Sequence, residues 1–70
     1  MTNYQYFFFN GQKYCCSNKI TILELLTYFN YKPSLLVLEY NNLVCSQDQW
    51  SKTYLQQNDK IEVLTIVGGG

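Results

Sequence analysis

One helix signature, near the middle of the chain, constrains the fold more than any other feature. Thr21 and Glu24 stand three residues apart and form a capping box, in which each side chain accepts a hydrogen bond from an otherwise unpaired backbone N–H. Apolar residues then recur at the i, i+3, i+4 and i+7 spacing that lines one face of a helix; they are Ile22, Leu25, Leu26 and Phe29. The helix should end near Asn30, because Pro33 disfavours helical geometry at Lys32. Its apolar face has to be buried against a sheet.

The segments on either side of this helix have strand character. Residues 4–9 are aromatic and lead into Asn10-Gly11, the dipeptide that most readily forms a type I′ turn, so a partner strand at Gln12–Cys16 should follow. After the helix, the apolar residues 35–40 end at Asn41-Asn42, and a short apolar segment lies beyond that turn. We therefore expect one hairpin before the helix and a second hairpin after it.

The sequence of the remaining residues predicts a long connection followed by a strand. Residues 46–58 are polar apart from three side chains that we expect to insert into the edge of the core; they are Trp50, Tyr54 and Leu55. The chain then turns at Asn58-Asp59, and residues 60–67 carry the strongest strand signal of the sequence, which predicts a central strand. Alternation divides that strand into two faces: Ile61, Val63 and Thr65 on one, and Glu62, Leu64 and Ile66 on the other.

The order of these elements predicts an α+β protein with one main helix packed on one face of a mixed sheet. The crossover through the helix allows the first and last strands to lie side by side in parallel. This arrangement resembles the β-grasp fold of ubiquitin. A chain of 70 residues is too short for two cores, so we expect a single β-grasp domain over residues 1–67 and a flexible Gly-Gly-Gly tail over residues 68–70.

Composition excludes several classes of function. Five lysines and no arginine balance five acidic residues, so the chain lacks the basic stripe that nucleic-acid binding requires. No apolar run approaches the roughly 20 residues that cross a bilayer, and the amino terminus does not resemble a signal peptide. Without histidine, a glycine-rich phosphate loop or clustered carboxylates, the chain is not expected to be an enzyme.

The three cysteines are predicted to be free thiols. An odd number of cysteines without a secretory signal favours a reducing compartment. A zinc site would need a fourth ligand, and the adjacent Cys15 and Cys16 point to opposite faces of a strand. We therefore predict no metal site, and a packing role for Cys15, Cys16 and Cys45.

The carboxyl-terminal glycines Gly68, Gly69 and Gly70 are the remaining candidates for chemistry. Because glycine has maximal backbone entropy and no side chain to bury, we expect a mobile arm that reaches roughly 10 Å and enters a narrow channel of another protein. The α-carboxylate at its tip resists nucleophilic attack until it is activated, for example by joining it to AMP. The ATP site has to belong to a partner, because this chain has no phosphate-binding loop. The plain alternative is a frayed chain end.

The order and spacing of several segments resemble the ThiS family of sulfur-carrier proteins. The most specific of them is the block Asp59-Lys60-Ile61-Glu62-Val63 running into Val67-Gly68-Gly69-Gly70. The other matching positions are residues 9–11, 21–26, 35–42, 49–50 and 55. Together these segments cover nearly the whole chain.

The resemblance implies that Gly70 is the group that is chemically changed. A ThiF-like adenylyltransferase would use ATP and magnesium to adenylate it, and a cysteine-derived sulfur donor would convert the adenylate to a thiocarboxylate. A ThiG-like thiazole synthase would then take the sulfur for the thiazole ring of thiamine. In that interpretation the chain itself binds no cofactor, Gly68 and Gly69 supply reach, and the cysteines supply no sulfur.

Three other functions remain open from the sequence. A MoaD-like carrier for the molybdenum cofactor shares the fold and the glycine ending. A ubiquitin-like modifier would form the same adenylate and then an isopeptide bond to a target lysine. A noncovalent β-grasp interaction module would not need Gly69 and Gly70 at all.

A docking surface and a cellular location are also predicted. Leu64, Ile66 and Val67 lie beside the glycine arm and are expected to anchor a partner; the alternative is that Leu64 and Ile66 pack against residues 46–58. We expect the free protein to be a monomer. Abundant Asn, Tyr, Lys, Ile and Phe, with no Ala, Arg or His, are typical of an AT-rich genome, which favours the plastid stroma of an alga over a bacterial cytoplasm.

Overall fold

A five-stranded mixed sheet carries one α-helix on one of its faces. The computed structural model describes residues 4–65. The regular elements in chain order are β1 (Gln5–Phe9), β2 (Gln12–Cys16), α1 (Ile22–Tyr28), β3 (Leu36–Tyr40), β4 (Leu43–Val44) and β5 (Asp59–Thr65). Short 3₁₀ turns at Pro33–Leu35 and Gln47–Gln49 precede β3 and follow β4.

The strand order is β2-β1-β5-β3-β4, which places the last strand in the centre of the sheet. The hairpins β1/β2 and β3/β4 are both antiparallel. Between them, β5 runs parallel to β1, with Phe9 opposite Ile61, and antiparallel to β3, with Leu36 opposite Thr65. The predicted α+β architecture, the central position of the last strand and its parallel pairing with the first strand are confirmed.

The helix begins as the capping box predicts. The Thr21 hydroxyl accepts the Glu24 backbone N–H at 3.1 Å, and the Glu24 carboxylate accepts the Thr21 backbone N–H at 2.8 Å. The helix ends at Tyr28, and Asn30 then takes a positive φ of 63°. The buried core side chains come from the helix, the sheet and the connection: Phe7, Phe9, Ile22, Leu25, Leu26, Leu36, Leu38, Trp50, Leu55, Ile61 and Val63.

The connection between β4 and β5 is fixed by two of its three predicted anchors. Trp50 and Leu55 are buried, and the Trp50 indole N–H donates to the Cys45 carbonyl at 3.0 Å. The prediction that Tyr54 inserts into the core is wrong, because its side chain is 51% exposed. Tyr54 pairs with Thr21 in an isolated β-bridge, and since neighbouring residues in extended chain point to opposite sides, burial of Leu55 directs Tyr54 outward.

Strand boundaries differ from the sequence expectations at two positions. Leu35 belongs to the 3₁₀ turn that Pro33 begins, so β3 starts one residue later than expected. Asp59 is not a turn residue but the first residue of β5, and its side chain is buried. Ile66 and Val67, predicted as the end of the last strand, lie outside the described residues, as does the predicted tail over residues 68–70.

Candidate functional site

The carboxyl end of β5 is the candidate functional site. Leu64 lies there on the face of the sheet opposite α1, called the outer face below, and its side chain is 70% exposed. The alternative prediction, in which Leu64 packs against residues 46–58, is therefore wrong. The other predicted site residues lie outside the described part of the chain: Ile66, Val67, Gly68, Gly69 and Gly70.

The sheet register brings together outer-face residues that are far apart in the sequence. Val37 lies directly opposite Leu64, and Glu39 lies directly opposite Glu62. Val37 is 37% exposed, so Leu64 and Val37 form a small aliphatic surface at this end of the sheet. Val37 and Glu39 were missed as site residues because alternation within one strand does not give the cross-strand register. If β3 and β5 had been aligned with Tyr40 opposite Ile61, the sequence would have placed Val37 and Glu39 at the site.

Charge is unevenly distributed over the outer face. Glu39 and Glu62 place two carboxylates directly opposite each other, an arrangement that destabilises an antiparallel pair. Among residues 4–65, neither carboxylate forms an ion pair within 4.0 Å. On the other half of the face, Lys13 and Lys60 both lie in register with Phe8, and the Lys13 ammonium group sits 4.5 Å from the centroid of the Tyr6 ring. The neutral chain therefore presents an acidic side beside Leu64 and a basic side beyond it.

Two asparagine turns hold β5 from both edges. On the β1 side, Asn10 donates its backbone N–H to the Ile61 carbonyl and accepts the Val63 N–H on its side-chain oxygen, each at 2.9 Å. On the β3 side, Asn41 donates its N–H to the Lys60 carbonyl at 2.7 Å and accepts the Lys60 N–H on Oδ1 at 2.8 Å. Both asparagines have positive φ, a conformation that asparagine tolerates better than most residues. The direction of β5 is thus set before the strand reaches Leu64.

A buried carboxylate fixes the opposite end of the same strand. Asp59 accepts hydrogen bonds from the Tyr40 hydroxyl, from Asn41 Nδ2 at 3.1 Å and from the Gln56 backbone N–H at 2.7 Å. Burial raises the pKa of Tyr40 well above its usual value, and the hydrogen bond to Asp59 raises it further. The Tyr40 hydroxyl therefore keeps its proton near neutral pH and donates it in the hydrogen bond to Asp59. The cluster anchors β5 to β3, far from the outer-face residues Leu64 and Val37.

The cysteines are free thiols, and two of them are partly buried. Cys15 is exposed, whereas Cys16 and Cys45 are partly buried and pack against the core. Burial raises the pKa of the Cys16 thiol, with a further contribution from Cys15, and burial together with Asp48 raises that of Cys45. Since the thiolate is the reactive form, Cys16 and Cys45 are poorly suited to sulfur chemistry.

The described part of the chain lacks two further kinds of feature. Residues 4–65 contain no group of three or more His, Cys, Asp or Glu side chains placed to hold a metal ion. Over the same residues, no helix has the length and apolar character needed to cross a membrane.

Comparison with known proteins gives a consistent result. The model of the ThiS family matches residues 7–70. Proteins called ycf40 are 55% identical over 64 residues in Trieres chinensis, covering 91% of this chain and 88% of that protein, and 38% identical over 61 residues in Pyropia yezoensis, covering 87% and 86%. A thiazole synthase of Magnetococcus marinus is 31% identical over 61 residues, which are 87% of this chain and 19% of that protein.

One solved structure shares the fold. The crystal structure of the thiamine biosynthesis protein ThiS from Geobacter metallireducens superposes with a TM-score of 0.79 at 22% identity. The match covers 94% of this chain and all of the other. The β-grasp architecture predicted from the order of the elements is therefore shown.

Proposed function

This chain belongs to the ThiS family, and from that premise we propose that it is a sulfur carrier for thiamine synthesis. Its Gly70 carboxylate attacks the α-phosphate of ATP in a ThiF-like enzyme that holds magnesium, and pyrophosphate leaves. A sulfide equivalent from a cysteine-derived donor then displaces AMP, which leaves a thiocarboxylate on Gly70. A ThiG-like thiazole synthase finally takes this sulfur into the thiazole ring.

The observation that carries the proposal is that the family match covers the three glycines at residues 68–70. It extends over residues 7–70 and so includes Gly70. The central position of β5 supports the same conclusion, because the strand that leads to the glycines is held on both edges by Asn10 and Asn41. We propose that the chain is a co-substrate of its partners and not an enzyme.

The bacterial relative supports a thiazole synthase as the receiving partner. Sixty-one residues similar to this chain occupy about a fifth of the Magnetococcus marinus thiazole synthase. In that protein the two parts share one polypeptide, which keeps them at high effective concentration. We infer that this chain delivers sulfur to an enzyme of the same kind.

Intact-mass measurement tests the proposed chemistry. The full chain is incubated with ATP, magnesium, a ThiF-like enzyme and a sulfur donor. We expect the mass to rise by the difference between one sulfur and one oxygen atom, and we expect no change for a chain amidated at Gly70. A protein-sized adduct would instead indicate a ubiquitin-like modifier, and an unchanged mass would contradict activation of Gly70.

A growth test distinguishes the two carrier pathways. In cells that lack this protein, added thiazole is expected to restore growth, whereas a molybdopterin precursor is not. The match to the ThiS family favours this outcome over a MoaD-like role. Restoration by the molybdopterin precursor alone would contradict it.

We propose that Leu64 docks the carrier on its activating partner, together with Ile66 and Val67. An exposed leucine that borders the acidic pair is suited to anchor an interface, in which few residues carry most of the binding energy. Leu64→Asp should reduce the rate of adenylation at least tenfold at low carrier concentration, equivalent to about 1.4 kcal/mol. Leu43→Asp is the matched control, because Leu43 is 74% exposed but lies on the edge strand β4, in register with Tyr40. Equal rates for the two folded variants would contradict docking through Leu64.

We propose a plastid location on the basis of the relatives. The name ycf40, which relatives in Trieres chinensis, Pyropia yezoensis and Porphyra purpurea share, supports a plastid protein. We propose that it acts in the stroma, and as a monomer when it is not bound to a partner.

A further inference from the structure

The end of β5 has one edge that no strand of the described chain covers. β1 pairs with β5 only as far as Phe9 opposite Ile61, and the chain then turns away at Asn10-Gly11. The Asn10 side chain extends the contact two residues further along β5, where it accepts the Val63 N–H. On its other edge, β5 remains paired with β3 as far as Thr65.

The hydrogen bonds of Asn10 and Asn41 fix which backbone groups face this edge. Successive residues of a strand direct their N–H and C=O groups to opposite edges. The Ile61 carbonyl and the Val63 N–H both bond to Asn10, whereas both groups of Lys60 bond to Asn41 on the β3 side. The Val63 carbonyl and the Thr65 N–H therefore point to the uncovered edge. Because β1 pairs with β5 no further than Ile61, neither group has a strand partner among residues 4–65.

This uncovered edge is accessible to another molecule. An open groove of about 400 Å³ runs beside it, bordered by Asn10, Gly11, Val63 and Leu64. Gly11 has no atom within 4 Å of the position that a Cβ would take, so the wall of the groove at the turn is clear. Thr65 and Leu64 are both exposed. Unpaired N–H and C=O groups on an exposed strand edge are a template for an added strand.

The length of chain beyond Thr65 identifies the occupant. Five residues separate Thr65 from Gly70, and they span at most about 18 Å when fully extended. An enzyme that holds Gly70 in its active site must therefore lie against the end of β5. We propose that an extended segment of the enzyme that activates Gly70 pairs with this edge as an additional strand, donating an N–H to the Val63 carbonyl and accepting the Thr65 N–H. The inference rests on the proposed function.

The proposed contact uses the backbone N–H of Thr65 and not its side chain. Proline is therefore the informative substitution at this position. Proline lacks the N–H but fits extended backbone, and it restricts the residue before it to the extended conformation that Leu64 already has in β5. The lost N–H faces away from β3, so the pairing with Leu36 is kept. Proline is tolerated in sheets at such edge positions.

Titration calorimetry of the full chain with the activating enzyme tests the proposal. Thr65→Pro is expected to bind roughly threefold to tenfold more weakly than wild type, the effect of one lost interfacial hydrogen bond. Thr65→Val, which keeps the N–H, should weaken binding far less. Equal affinities of a folded Thr65→Pro protein and of Thr65→Val would overturn the proposal.

Amide exchange in the wild-type protein gives a test that does not depend on folding of the proline variant. In the complex, the Thr65 amide is expected to exchange at least tenfold more slowly than in the free chain. The Lys60 amide, already bonded to Asn41, should change little and serves as the internal control. An unchanged Thr65 rate in a complex that adenylates Gly70 would overturn the edge pairing alone. If the enzyme does not adenylate the wild-type chain, the proposed function fails and this inference fails with it.

Discussion

At the scale of single residues, Asn10 performs two functions at the first turn. Its backbone takes φ of 50°, and its side-chain oxygen stands in for a missing strand partner of Val63. Glycine would satisfy only the first requirement, and most other residues would satisfy neither. This double role explains why asparagine suits the position.

Substitutions of Asn10 should show how much its side-chain acceptor and its left-handed backbone each contribute to stability. Asn10→Ala removes the acceptor, about 1 kcal/mol, and places a Cβ in left-handed backbone, about 1 kcal/mol more. We expect the free energy of unfolding in urea to fall by about 2 kcal/mol. Asn10→Asp keeps an acceptor oxygen at the same place and should lose much less. Similar losses for the two variants would show that the bond to Val63 contributes little.

Tyr40 should give the protein a specific response to alkaline pH. The pKa of this phenol is raised in the folded state, by burial and by Asp59, so its contribution to stability is complete below the ordinary tyrosine pKa of about 10 and is lost as the pH rises toward the folded value. Tyr40→Phe removes both the hydroxyl and this titration. We expect it to be about 1–2 kcal/mol less stable than wild type near neutral pH.

Unfolding free energies of the two proteins, measured from neutral to alkaline pH, check this prediction. The difference between wild type and Tyr40→Phe should shrink above a pH of about 10. If the difference stays constant over that range, the hydrogen bond between Tyr40 and Asp59 does not stabilise the folded protein.

At the scale of elements, the capping box determines where a very short helix begins. α1 has only seven residues, and isolated helices of that length are unstable in water. Its stability therefore depends on the Thr21–Glu24 pair and on packing of Ile22, Leu25 and Leu26.

Thr21→Ala is expected to lower the free energy of unfolding by about 1 kcal/mol, the usual effect of losing an N-cap acceptor. Thr21→Ser keeps the hydroxyl that accepts the Glu24 N–H, so it should retain most of that stability. Chemical denaturation followed by far-ultraviolet circular dichroism measures both variants. The cap is unimportant if serine and alanine destabilise the protein equally.

Elements with a local signal could be predicted from the sequence, whereas contacts set by tertiary pairing could not. The helix start, both asparagine turns and the central strand each follow from residues that are close together, such as Thr21 with Glu24. Tyr54 points outward because its neighbour Leu55 is buried, in a segment that is bridged to Thr21, 33 residues away in sequence numbering. Burial of Asp59 likewise requires donors from Tyr40 and Asn41 that no local pattern reveals.

The candidate site divides in the same way. Leu64 could be predicted as an exposed aliphatic from the alternation of β5. Its neighbour Val37 could not, because the register of β3 against β5 is a property of the assembled sheet. The uncovered edge at Thr65 follows only when the endpoint of β1 is known.

At the scale of the whole molecule, the fold and the proposed chemistry use different parts of the chain. Among residues 4–65, every buried core side chain lies between Phe7 and Val63. The group proposed to react, on Gly70, is seven residues beyond the last of them. Stability and carrier activity should therefore be separable by truncation.

A chain that ends at Val67 tests this separation. We expect its free energy of unfolding to differ from that of the full chain by less than about 0.5 kcal/mol, as for changes away from packed groups. The same truncated chain should receive no AMP from the activating enzyme. A larger loss of stability would show that residues 68–70 contribute to the folded domain.

The use of asparagine at the turns has a consequence for thermal adaptation. Five asparagines among residues 4–65 adopt positive φ, and Gly11 is the one glycine there that does so. Asparagine is chemically thermolabile, and proteins of hyperthermophiles contain less of it. A counterpart of this protein from a hot spring should thus have glycine at Asn30, Asn42 and Asn58, while Asn10 and Asn41, whose side chains bond to β5, should resist that replacement.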